Sequence, residues 1–282
     1  MTGRAHVQHG RRVLHDEEAE RALSEEGFAV VPFLDATKVA AVADAAGNLG
    51  PAPDDPRGGL FFGVHSRSQA YKEAVRDAIV GIVGVGVDRT FVDYRVYLAM
   101  FITKWPGRQG ALQPHQDTTT VDETRFRGIN LWCPVGGAGV ERGVDDGSLR
   151  LVPGTHLLRE SIRYAGQPND QVAHLTSSAL TPHSTSPRLR PGEAIVFDHR
   201  IVHFSPPNYT TDPRLVVSLG LCPSEADTLT IRPTSEGDAA VFVTTADFYY
   251  RDHLATPQTG PIHRVNPPVD RRIAIEELGS FR

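Results

Sequence analysis

FDHRIVHFSPPNYTTDPRLVVSLG (197–220) is two apolar runs on either side of a turn rich in Pro, Asn and Asp. The runs extend outward as AIVFD (194–198) and LVVSLGLCP (215–223). β-Branched and aromatic residues bounded by turn formers read as strands of a buried sheet. Four more stretches have this character: VDYRVYLAMFI (92–102), INLWCPV (129–135), SLRLVPG (148–154) and AVFVTT (240–245). The chain before them is mostly helical in pattern. HDEEAERALSEE (15–26) is acidic and is stopped by Gly27, and FAVVPFL (28–34) is a short buried strand. DATKVAAVADAAGN (35–48) is a helix capped by Asp35, PAPDDPRGG (51–59) is a loop, and SQAYKEAVRDAIVGIVG (68–84) is a third helix.

Short strands after a helical section predict a mainly-β fold with flanking helices, a double-stranded β-helix (jelly-roll, cupin-like) barrel. The expected organisation is one domain over residues 1–282. Its helical part spans about 15–90 and its barrel about 91–245. Residues 157–193 carry little strand signal and many Ser, Thr, Pro and His. An irregular segment of that length inside a compact domain typically serves as a lid.

Composition narrows the function. The net charge of -5 and the lack of a Lys/Arg run argue against a nucleic-acid partner. No apolar stretch approaches the length of a membrane span, and Met1–Arg12 lacks the apolar centre of a secretion signal. The 2 cysteines, Cys133 and Cys222, have no paired spacing. A disulfide framework and a cysteine zinc site are both unavailable, and the cytoplasm is the expected compartment.

The chemistry-bearing residues cluster in two places. On extended chain, His115 and Asp117 point to one side, so an imidazole and a carboxylate face a common ion. His15-Asp16-Glu17 has a similar form but lies in a charge-rich helix, where a solvated face explains it. In 197–220, His199 and His203 follow a strand end and Arg214 opens the next strand. Two histidines and one carboxylate on one face leave three coordination positions open, the facial triad of oxygen-activating iron(II) sites. A planar, permanently charged guanidinium such as Arg214, with the Ser205 hydroxyl beside it, suits the far carboxylate of 2-oxoglutarate. The competing reading of Arg214 is a surface ion pair with Asp212.

Five segments in order resemble the phytanoyl-CoA dioxygenase family, over about residues 22–222. They are LSEEGFAVVPFLD, MFITKWPGRQGALQPHQD (100–117), INLWCPV, DDGSLRLVPGTH (145–156) and PGEAIVFDHRIVHFSPPN with a following arginine. The resemblance selects His203 over His199, because only His203 has serine two residues on and arginine eleven residues on. It implies iron(II) on His115, Asp117 and His203, and 2-oxoglutarate anchored by Arg214 and Ser205 with Met100, Gln116 and Trp132 lining its pocket. Dioxygen is the other cosubstrate and ascorbate an activator. Lys104 reads as a turn lysine, His199 as an outer or surface residue, and His156 as structural.

The implied reaction is hydroxylation of an unactivated C–H bond in a small molecule, such as a secondary metabolite, an amino acid or an acyl compound. Desaturation, cyclisation and epoxidation use the same cofactors. Members that halogenate carry a small residue at the position of Asp117, so the aspartate favours oxidation. Thr118–Val121 and Glu193 depart from the family pattern without touching the ligands. A non-catalytic cupin-like metal barrel is a more distant alternative. A zinc hydrolase is disfavoured by the lack of H-E-x-x-H. Phe61, Phe62, Arg159–Tyr164 and Tyr249–Arg251 are candidates for shaping the substrate pocket.

Overall fold

The computed structural model describes residues 11–136, 146–158, 162–164, 172, 174–251, 253–265 and 274–278. Three helices and two strands come first: α1 (Glu17–Glu25), β1 (Phe28–Pro32), α2 (Ala36–Leu49), β2 (Leu60–Phe62) and α3 (Gln69–Thr90). Each helix starts on a side chain that accepts an otherwise orphaned amide. Asp16 caps α1 at Ala19 N (2.8 Å), Asp35 caps α2 at Lys38 N (2.8 Å) and Ser68 caps α3 at Tyr71 N (3.3 Å). Gly27 ends α1 as predicted. Its φ is +86°, and a Cβ there would meet the buried His156 ring at 2.5 Å.

The strands that follow are β3 (Tyr94–Lys104), β4 (Leu112–His115), β5 (Ile129–Gly136) and β6 (Arg150–Val152). After the short helix α4 (Ser177–Leu180) come β7 (Glu193–Asp198), β8 (Val202–Ser205) and β9 (Arg214–Pro223). The main sheet has the order β1-β7-β5-β9-β3-β2, with every neighbouring pair antiparallel. A smaller sheet has the order β4-β8-β6. The non-sequential order, with strands alternating between two sheets, is that of a jelly roll, and the mainly-β expectation holds.

Period-two alternation gives the main sheet two apolar faces. Ala99, Phe101, Leu131, Cys133, Val196, Val217 and Leu219 face the helices and pack with Leu23, Val42, Ile79 and Val83. Ile102, Trp132, Ile195, Phe197 and Val216 face the other way and pack with Leu149, Leu151 and Ile201 beside the small sheet. Each fully buried aliphatic side chain contributes about 1.5–3 kcal/mol relative to exposure. The space between the sheets is therefore walled largely by apolar side chains.

The C-terminal part adds β10 (Leu229–Pro233), β11 (Ala239–Val243), α5 (Phe248–Arg251), β12 (His263–Val265) and α6 (Ile275–Leu278). Strands β10, β11 and β12 form a third sheet, of which only the β11 stretch was expected. Of the predicted lid, residues 159–161, 165–171 and 173 lie outside the described residues. Its remainder includes α4 and a bridge from Thr185 to Leu151. No described helix is long and apolar enough to cross a membrane. Cys133 and Cys222 are free and buried.

Candidate metal centre and cosubstrate pocket

Strands β4 and β8 pair antiparallel with His115 directly opposite His203, which sets the rings 4.2 Å apart on one face. Asp117 lies just past the end of β4, held by its own N–H donating to the His199 carbonyl (2.9 Å). One ligand atom from each of His115, Asp117 and His203 lies within 4.8 Å of the others. Asp117 Oδ1 stands 3.7 Å from His115 Nε2 and 3.8 Å from His203 Nε2.

The hydrogen bonds around these atoms present lone pairs to an ion. His115 Nδ1 meets the Gln113 carbonyl at 2.8 Å, and His203 Nδ1 meets the Ile201 carbonyl at 3.1 Å. A carbonyl only accepts, so each Nδ1 carries the proton and each Nε2 is left as a donor to metal. Burial, then the neighbouring His203, pushes His115 down to about 4, which keeps it neutral at physiological pH. Burial alone would raise the Asp117 carboxyl. His203, His115, His199 and a hydrogen bond from Asn130 outweigh it and hold Asp117 below the ordinary carboxylate range. Two imidazoles and one carboxylate fit a divalent iron ion, and the set has no thiolate.

Asn130 escapes a motif search, since it sits thirteen residues past Asp117 in an apolar strand. Its Nδ2 donates to Asp117 Oδ2 at 2.6 Å, which turns Oδ1 toward the histidines. We expect Asn130→Ala to weaken iron(II) binding about tenfold, the usual consequence of losing a group that orients a metal ligand. Anaerobic iron titration measures it, and unchanged affinity would make Asn130 a bystander.

Arg163, part of the Arg159–Tyr164 stretch read as shaping the substrate pocket, anchors the Asp117 loop. Its guanidinium bonds to the Asp117 carbonyl and to Glu123, with Nη1 3.0 Å from Oε2. Its backbone exchanges bonds with Thr119, whose N–H donates to the Arg163 carbonyl (3.1 Å) while Arg163 N–H donates to Thr119 Oγ1 (3.2 Å). Ile162 and Tyr164 on either side pack on Leu229, Ile231 and Val241 of the C-terminal sheet.

The second histidine of the distal segment has a different place. His199 is buried, not at the surface. Its Nδ1 lies 3.2 Å from Thr120 Oγ1, and its ring stands edge-on to Tyr97 at 6.5 Å. Gly128 packs against it so closely that a Cβ would lie 2.6 Å from His199 Nδ1. It supports the Asp117 loop from behind and is outside the cluster of three. His156 is structural as read, with Nε2 3.1 Å from the Ser24 carbonyl.

Lys104 and Arg214 are directly opposed in the β3–β9 register. Arg214 is buried, and the Asp212 ion pair does not form. Instead its Nη1 bonds to the Gly147 carbonyl and reaches the Asp146 carbonyl at 3.4 Å, and the guanidinium lies over the Trp132 ring at 5.0 Å. Its Nε has no hydrogen-bond partner among the described residues. Burial draws its affinity for the proton down to about 10. Among the described residues no carboxylate pairs with this buried guanidinium, and a planar cation of this kind suits an anionic partner.

Met100 and Trp132 are both paired with Ser218, so they line the interior face in one row. Gln116 is buried and gives its amide to the Arg200 carbonyl. Lys104 corrects the sequence reading. It is the last residue of β3 and is fully buried, because its partner in register carries it into the interior. Tyr249 is also core: its hydroxyl donates to the Leu229 carbonyl at 2.5 Å and its ring lies 4.8 Å from Tyr97.

A jelly roll that converges two histidines and a carboxylate beside a buried arginine defines the class of non-haem iron oxygenases that use 2-oxoglutarate. Residues 23–216 match the family described as phytanoyl-CoA dioxygenase (PhyH). The chain belongs to that family and is a 2-oxoglutarate-dependent oxidoreductase. Solved structures share the fold at low identity. The carbocyclase SnoK from nogalamycin biosynthesis is 17% identical, with 88% of this chain and 93% of that one covered and a TM-score of 0.53. The epimerase SnoN, in complex with Fe3+, alpha ketoglutarate and nogalamycin RO, is 19% identical over 90% and 96%, with a TM-score of 0.53. HygX from Streptomyces hygroscopicus, with nickel, 2-oxoglutarate and hygromycin B bound, is 15% identical over 74% and 88%, with a TM-score of 0.51.

Proposed function

We propose that this oxygenase hydroxylates an unactivated C–H bond of a small organic molecule. His115, Asp117 and His203 hold the iron(II), and Arg214 and Ser205 hold the far carboxylate of 2-oxoglutarate. The carrying observation is the cluster of three ligand atoms within 4.8 Å, together with the buried Arg214, whose Nε has no hydrogen-bond partner among the described residues. The overall reaction balances as substrate, dioxygen and 2-oxoglutarate giving hydroxylated substrate, succinate and carbon dioxide. The bound iron supplies the dioxygen activation, driven by decarboxylation of the 2-oxo acid.

The chain's own residues do the positioning. The two histidines and Asp117 would together hold the ion. Arg214 stays charged across the physiological range, pinned between Trp132 and the 146–147 carbonyls, and so sets where the five-carbon diacid ends. Met100 and Trp132 wall the interior and keep water from it. SnoN is solved with nogalamycin RO and HygX with hygromycin B, which supports a secondary metabolite as the substrate class here. Cyclisation, desaturation or epoxidation would need only a different substrate pose over the same centre. The two free, buried cysteines fit the cytoplasm, and ascorbate is the expected activator.

The test is iron-dependent conversion of 2-oxoglutarate to succinate under air with ascorbate, accelerated by members of a metabolite panel. Failure of the iron-loaded protein to bind 2-oxoglutarate would reduce the molecule to a metal-binding barrel. Arg214→Met should weaken 2-oxoglutarate about a hundredfold, since charge-assisted hydrogen bonds contribute about 1.5–3 kcal/mol each. Iron affinity should stay unchanged in that variant, and a parallel loss of iron would mean that Arg214 acts on the fold.

A further inference from the structure

Lys104 is a buried cation without a stated purpose. Its Nζ donates to Ser205 Oγ at 2.5 Å and to the Pro206 carbonyl at 2.7 Å. Those bonds use two of the three N–H groups of an ammonium. The stem is gripped by Gly147, whose φ of +73° lets the backbone pass where a Cβ would lie 2.5 Å from Lys104 Cδ. Across the ladder stands Arg214. Two cations are thus buried side by side on one sheet face. Among the described residues, Asp146 acts on both from a distance: it meets Arg214 through its backbone carbonyl, and its carboxylate accepts from Ser148 N at 2.8 Å.

We propose that Lys104 is a second cation of the cosubstrate pocket, which takes up a proton when a dicarboxylic 2-oxo acid seats against Arg214 and thereby makes Ser205 a hydrogen-bond donor to that acid. The inference rests on the oxygenase reading above. A charged Lys104 must donate to Ser205 Oγ, and the serine's own proton is then free to point at a carboxylate. A neutral amine can instead accept that proton, and Ser205 would be turned inward.

The electrostatics supply the switch. Burial, then repulsion from Arg214, pushes Lys104 down to about 6, and Asp146 opposes this weakly. At neutral pH the empty pocket therefore holds mostly the neutral amine. An arriving carboxylate favours the charged form and raises the affinity for the proton. Binding then consumes a proton, so affinity for 2-oxoglutarate falls as pH rises above the empty-site value. The groups facing Lys104 are Arg214 from β9, Ser205 and Pro206 from β8 and its following turn, and the Asp146–Gly147 segment.

The experiment is anaerobic calorimetry of the iron(II)-loaded full chain with 2-oxoglutarate at pH 7, in buffers of differing ionisation enthalpy. The wild type should take up between about half and one proton per diacid bound, as expected for a group at about 6 that becomes charged. Lys104→Met should bind about tenfold more weakly, with no proton uptake. Lys104→Arg, permanently charged, should also lose the uptake while retaining more affinity than the methionine variant. A wild type that binds without proton uptake overturns the proposal, and this measurement needs no variant to fold. Lys104→Met that binds with undiminished affinity overturns it as well. A wild type that binds no 2-oxoglutarate at all sinks the oxygenase reading instead, so the two failures are distinct.

Discussion

Asp117→Ala is expected to leave an enzyme whose 2-oxoglutarate turnover is at background and which loses its iron on desalting. Asp117 supplies the only negative charge among the three clustered ligand atoms. Removing it leaves two neutral imidazoles to hold a dication, and strands the Asn130 amide that now donates to it at 2.6 Å. The fold should survive, because the main-chain bond from Asp117 N to the His199 carbonyl does not depend on the side chain. Iron content and succinate formation measure the two effects separately. His115→Ala should behave alike, since its Nε2 has no substitute on β4. Wild-type turnover by the Asp117→Ala protein would remove Asp117 from the ligand set and with it the reading of the site.

Asp198→Asn should cost the most stability. The Asp198 carboxylate is buried at the end of β7 and accepts from Arg200 N (2.9 Å), Arg200 Nε (2.9 Å), Arg200 Nη2 (2.8 Å) and Arg127 Nε (3.1 Å). Arg127 is buried as well and continues to the Leu23 carbonyl at 2.9 Å, which ties α1 to the sheet. An amide cannot neutralise two guanidinium groups, and an uncompensated buried charge costs about 3–5 kcal/mol. Melting should fall by about 10 °C. Burial alone would raise the Asp198 carboxyl, yet Arg200 and Arg127 hold it well below the ordinary range. A depressed carboxyl stabilises the fold above its unfolded value of about 3.9, and that contribution disappears as pH falls through the folded value. The wild type should therefore lose stability below about pH 4 more steeply than the variant. Equal slopes in acid denaturation would show that the charge of Asp198 is not what holds α1 down.

The residues legible from sequence were those whose geometry is local. His115 and Asp117 are two apart near a strand end, and His203, Ser205 and Arg214 flank one turn, so their spacing carries their placement. The strands around them announce themselves as apolar, β-branched runs bounded by turn residues, and they are buried almost throughout. Residues whose meaning depends on a distant partner were not legible. Lys104 looks like a turn lysine until β9 is paired beside it, and Asn130 looks like a polar interruption of an apolar strand until β4 is brought alongside. Arg127 and Asp198 are 71 positions apart, and nothing in either segment points to the other. Helix α3 runs to Thr90, six residues past the expected end at Gly84, because Val83 and Val87 continue the stripe that packs on the main sheet. Strand β10 alternates Thr230 and Arg232 with its apolar residues and does not stand out, whereas its partner β11, of equal length but all apolar, was expected.

Arg163 bears on how such an enzyme can be re-engineered. The segment it belongs to is an attractive cassette to exchange between relatives when a new substrate is wanted. Yet Arg163 grips Glu123, Thr119 and the Asp117 carbonyl, and its two neighbours in sequence are seated on a sheet that begins beyond the matched family region. A transplant of residues 157–193 alone would leave Glu123 without its guanidinium and Leu229 without its cover. Residues 162–164, the Thr119–Glu123 stretch and the C-terminal sheet hold one another, and a graft must carry all three.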